Sequence, residues 1–119
     1  MHAPETRPSL PLSLLQELQR RADSLPPLAS ETADLLHKYI AEIEDASQSH
    51  AALVRLKEFS WHYKGMRDII VPGVSESEWL QFVARVRDLS TSACRARGLD
   101  QSPVGRISTA LRRLFGVAQ

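Results

Sequence analysis

Apolar side chains recur along this chain at steps of three and four residues and show no sustained alternation, so the pattern predicts helices and no strands. Leu14, Leu15, Leu18, Ala22 and Leu25 mark a first stripe over Ser13 to Leu25, with Gln16 three positions after Ser13 as in a capping box. Pro26 and Pro27 stop it. Ser30 is expected to cap a second helix, whose opening places Glu31 and Asp34 where the macrodipole favours anions. Its apolar face is Leu36, Tyr39, Ile40 and Ile43. A further stripe of Leu53, Leu56, Phe59, Tyr63, Met66 and Ile70 keeps helical spacing and is expected to run helical to Ile70.

At about 100° per residue, those last two stripes would face opposite sides of one straight helix drawn from residue 30 to 70. A break in "ASQS", residues 46 to 49, with Ser49 capping a new helix, resolves the conflict. The alternative is one long helix that meets different neighbours along its length. Val71, Pro72, Gly73 and Val74 then form a boundary, because proline disfavours helix at the residue before it and glycine supplies the turn. In "VSESEWL" Ser75 and Glu78 have capping-box spacing and Val74 can staple onto Trp79. Trp79, Val83, Val86, Leu89 and Ala93 continue the buried stripe until Gly98 ends it. Ser102 and Pro103 start a last helix with Ile107, Ala110, Leu111, Leu114 and Phe115 on its apolar face. The expectation is an all-α fold, a compact bundle of four to five amphipathic helices over residues 10 to 119, behind a flexible, disordered lead-in at residues 1 to 9.

Composition changes this picture little. With 119 residues, 43% hydrophobic, the chain suits a single domain able to bury its own core. No stretch approaches the roughly 18 apolar residues of a membrane span, and "MHAPETRPSLPLS" has no apolar signal-peptide run. No membrane partner and a cytoplasmic location are therefore expected. Cys94 is the only cysteine, which leaves no internal disulfide and no thiolate zinc site. The histidines His2, His37, His50 and His62 make no pair at the spacing of a helical metal site, and no glycine-rich phosphate loop or hydrolase signature occurs. A non-catalytic chain without metal or cofactor is the expectation.

Charge is more informative. The net charge of +1 conceals a balance of −4 over residues 1 to 84, from eight basic and twelve acidic side chains, and of +5 over residues 85 to 119, from seven arginines and two aspartates. Arginine's planar fork suits carboxylate and phosphate. The C-terminal Arg106, Arg112 and Arg113 therefore suit an acidic protein partner, a nucleic acid, or the chain's own acids. On the helix expected over residues 53 to 70, Phe59 and Tyr63 point inward and Trp61 lies about 140° from Leu56, facing out beside Lys57, Lys64 and Asp68. Another helix could instead cover Trp61 as ordinary core. Arg67, near the buried direction, would need a carboxylate or carbonyl partner.

The residues "WHYKG", between "LLHKYI" and "FVARVRDLSTSACRARG", resemble a damaged copy of the motif of histidine phosphotransfer domains. In that all-helical family the phosphoacceptor histidine is followed by lysine three and glycine four positions later on one long helix. Here Lys64 and Gly65 come two and three positions after His62, and aligning them with the family pattern puts Trp61 at the acceptor position, where an indole takes no phosphoryl group. The likeness spans about residues 35 to 98 and implies a degenerate phosphotransfer-like domain. The leading expectation is a small protein-interaction module, an adaptor, regulator or inhibitor of the kind bacteria, plasmids and phages carry. Its contact face is Lys57, Trp61, Lys64 and Asp68, with Arg106, Arg112 and Arg113 as a second patch that steers an acidic partner. A nucleic-acid-binding regulator using the C-terminal arginines is the alternative, and a homodimer fits the wide apolar faces.

Overall fold

A computed structural model describes residues 10–99. The expected tail at residues 1 to 9, the expected last helix, and Arg106, Arg112 and Arg113 lie outside the described residues. Within them the chain forms α1 (Leu12–Ser24), a 3₁₀ turn at Pro27–Ala29, α2 (Ser30–Glu44), α3 (Ser49–Trp61), a second 3₁₀ turn at Met66–Asp68, and α4 (Glu76–Ala96). No strand occurs among the described residues. The architecture is the expected all-α bundle.

Each helix packs on its two neighbours in a closed ring, α1 on α2, α2 on α3, α3 on α4 and α4 on α1, and neither diagonal pair meets. The cross-contacts give the directions. Glu17 and Arg21 of α1 meet Arg85 and Phe82 of α4, Glu42 of α2 pairs with Arg55 of α3, and Ser49 of α3 meets Arg97 at the end of α4. Those neighbours run antiparallel. With the short turn between α1 and α2, the bundle is up-down-up-down.

The core is one cluster that draws Leu14 and Leu18 from α1, Leu36 and Ile43 from α2, Leu53 and Leu56 from α3, and Val83 and Val86 from α4. The stripes of α1, α2 and α4 are therefore the ones read from spacing. α3 and α4 also bury small residues, Ser49, Ala52 and Ser60 on one and Ser90 and Cys94 on the other. The Ser60 and Ser90 hydroxyls are satisfied by donating to the carbonyls of Lys57 and Arg87, three residues back. Glu17 is the one buried carboxylate among the described residues, and it pairs with Arg20 and Arg85.

The break between α2 and α3 falls where expected, but its chemistry differs. Asp45 holds the turn, accepting from the Ser47 amide and hydroxyl and from the Gln48 side chain. Ser49 does not cap α3; its hydroxyl accepts from the Arg97 guanidinium at 2.8 Å. Ser30 likewise does not cap α2, because the 3₁₀ turn runs straight into the helix and makes Ala29 the N-cap. The Ser13 capping box is absent too, since α1 begins one residue earlier with Pro11 as N-cap and Ser13 already inside. At α4 the signal was sound: Ser75 Oγ accepts from the Glu78 amide at 3.2 Å. Its far end is a Schellman motif, with Leu99 N–H donating to Cys94 O, Gly98 N–H donating to Arg95 O, and Gly98 at φ +74°.

The main correction concerns residues 53 to 70. α3 ends at Trp61, and His62 is extended at φ −71°, ψ 149°. Lys64 adopts φ +62°, and its amide donates to the Asp68 carboxylate, which stabilises this uncommon backbone. Gly65 then folds back onto the end of α3, so close that a Cβ there would lie 2.3 Å from the Phe59 carbonyl oxygen. Periodicity therefore runs through a stretch that is not helix. Met66 still reaches the core, whereas Tyr63 and Ile70, expected inside, are 68% and 91% exposed.

Candidate protein-binding face

The connections α1–α2 and α3–α4 share one end of the bundle, as the topology requires. They touch there: a Cβ added to Gly73 would lie 2.7 Å from Pro26 Cγ. This end carries Leu28, Trp61, Tyr63 and Ile70, four of the six exposed large apolar side chains among the described residues. Scattered apolar residues are ordinary on a surface; their gathering at one end of the bundle is not.

Trp61 closes α3 and is 38% exposed. Two guanidiniums lie over that ring, Arg67 Cζ at 5.3 Å and Arg87 Cζ at 5.1 Å from the centroid. Lys64 Nζ lies 5.6 Å from the Tyr63 ring. Such contacts hold a cation by the ring's quadrupole without neutralising it. Arg67 and Arg87 make no ion pair among the described residues. The Nε of Arg67 is also buried with no hydrogen-bond partner among them. The carboxylate or carbonyl partner expected for Arg67 is thus replaced by an aromatic face.

The residues expected around Trp61 are redistributed by the turn. Lys64 goes to Tyr63, and Asp68 spends a carboxylate oxygen on the Lys64 backbone. Lys57 is half-buried, one helical turn before Trp61, and its charge acts on Cys94. Arg87 was not legible, because it sits on the exposed flank of α4 and reaches Trp61 only through the packing of α3 on α4. No local spacing announces it. His62 is exposed at the helix end, with Nδ1 2.7 Å from the Tyr63 carbonyl oxygen. The long helix that the phosphotransfer resemblance requires is therefore interrupted at its motif.

Beside this face a pocket of about 380 Å³ opens between the 67–74 loop and the start of α4. Ile69, Ile70, Val71, Val74 and Trp79 give its apolar wall, and Arg67, Asp68 and Glu76 its polar rim. The Trp79 indole N–H donates to the Met66 carbonyl oxygen at 2.9 Å, which fixes the wall to the loop. Elsewhere, burial pushes the Cys94 thiol up, with Lys57 and Arg97 opposing weakly, so the thiolate is disfavoured. No group of three or more His, Cys, Asp or Glu suited to a metal ion occurs among the described residues, and no helix there is long and apolar enough to cross a membrane.

Set against known proteins, the chain matches no family model, no curated protein and no solved structure.

Proposed function

We propose that this protein is a non-catalytic interaction module that binds an acidic segment of another protein through the face built on Trp61, Tyr63, Lys64, Arg67 and Arg87. The observation that carries this reading is the pair of guanidiniums laid on the half-open indole without carboxylate partners. A guanidinium held against a ring has already lost much of its rotational freedom, so its fork is pre-set to receive a carboxylate. Arginine, tryptophan and tyrosine are also the side chains that dominate interface energetics. A single-stranded nucleic acid would need the Trp61 ring as a stacking platform. That ring is already covered by arginine, which favours the protein partner.

The test uses the full chain and a short glutamate-rich peptide as probe. Binding is expected to weaken as salt rises and to fall at least about tenfold in Trp61→Ala and in Arg87→Ala, the loss of one good anchor. Both variants are expected to melt close to the wild type, because neither side chain lies in the core. Tighter binding of a single-stranded oligonucleotide than of the peptide would replace this reading with the nucleic-acid one. Transfer of phosphate to His62 from a small phosphodonor would replace it with the phosphotransfer one.

A further inference from the structure

The pocket beside Trp61 divides a partner into two parts with different chemistry. Its wall is apolar, and its rim carries two carboxylates, Asp68 and Glu76, against the single cation Arg67. Asp68 is held in place by the Lys64 amide, and Glu76 sits in the first turn of α4, where the helix dipole favours it. A carboxylate from outside is therefore repelled from the pocket and drawn next door, where Arg67 and Arg87 lie on Trp61 with no acid between them. An uncharged apolar side chain meets the opposite preference. It finds Ile69, Val71, Val74 and Trp79 in a space of about 380 Å³, within the roughly 300–1,000 Å³ of ligand pockets.

Arg67 belongs to both places: its Cζ lies over Trp61, and it lines the pocket. Its buried Nε has no acceptor among the described residues.

We infer that the occupant is an extended acidic segment with one large aliphatic residue, its carboxylates on Arg67 and Arg87 and its aliphatic side chain in the pocket walled by Val74 and Trp79. This rests on the proposed binding of an acidic protein at the Trp61 face and specifies which sequence that face prefers.

Two synthetic peptides decide it, one of Asp and Glu with a single central Leu and one with Ser in its place, titrated into the full chain. The Leu peptide is expected to bind at least about tenfold tighter, the lower end of what burying a leucine side chain supplies. The indole N–H resonance of Trp79 should move with the Leu peptide only. Val74→Phe, which fills the pocket, and Ile70→Ser, a change at its exposed mouth that leaves the core intact, should each shrink the gain while leaving the Ser peptide's affinity unchanged. Equal, salt-sensitive binding of both peptides to the wild type overturns the pocket's role and leaves the Trp61 face standing. Absence of binding by either peptide overturns both. A Leu gain that survives in Val74→Phe and in Ile70→Ser also overturns the assignment, because the side chain then sits elsewhere.

Discussion

Trp79 and Trp61 show how the same residue type takes opposite roles according to what surrounds it. Trp79 is 2% exposed, packs its ring 5.1 Å from Phe82, and satisfies its indole N–H on the Met66 carbonyl. Trp61 has no such acceptor among the described residues and meets cations instead. Trp79→Phe should keep most of the apolar packing but remove one of the two bonds to the Met66 carbonyl, which still accepts from the Ile69 amide. It is expected to cost about 0.5–1.5 kcal/mol in chemical denaturation, the net worth of one hydrogen bond. The 67–74 loop should loosen with it, seen as faster amide exchange at Ile69 and at Val74, whose N–H is bonded to the Val71 carbonyl. If the loop amides exchange as in the wild type, the indole bond is not what holds the loop.

The helical elements differ in how openly their boundaries are written. α4 was legible from its first residue, because the Ser75 hydroxyl accepts from the Glu78 amide within one turn of chain and requires nothing from the rest of the fold. Ser75→Ala is accordingly expected to cost about 0.5–2 kcal/mol, with no change in the denaturation slope. The caps read at Ser13, Ser30 and Ser49 failed for a different reason. α1, α2 and α3 each begin at or before the serine expected to precede them, with Pro11, Ala29 and Gln48 as N-caps, and Arg97, far along the chain, donates to the Ser49 hydroxyl. The end of α3 was hidden because Tyr63 and Ile70 happen to fall at helical spacing, while the features that end the helix are a left-handed lysine and a glycine pressed on a carbonyl. Only contacts reveal those.

Asp45 gives the α2–α3 turn a pH signature. Bonds from the Ser47 hydroxyl, the Ser47 amide and the Gln48 side chain hold its carboxyl below its ordinary value of 3.8. The ionised form thus favours the folded state at pH values above 3.8, and that contribution is lost as pH falls through the lower folded value. Asp45→Asn should lower the melting temperature at neutral pH, and the gap to the wild type should close in acid. A gap that persists in acid would mean that shape, not charge, holds the turn.

At the scale of the molecule, the all-α bundle and most of its core were legible, since wide apolar stripes joined by short connections have few ways to close. The proposed face was half legible. Trp61 stood out as an aromatic on the polar side of a stripe, but Arg87 and the pocket exist only because α3, the 62–75 loop and α4 come together. The loop's remaining support is Pro26, on which Gly73 rests with φ +81°. Gly73→Ala would strain that backbone and strike the proline ring. It is expected to lower thermal stability and also to reduce the advantage of a leucine-bearing peptide over a serine-bearing one.

That proline touches no ligand in this scheme, yet it braces the wall against which a ligand would press. A directed-evolution library restricted to the surface around Trp61 would leave Pro26 constant and so miss a lever on selectivity. Substitutions there would retune the grip from behind.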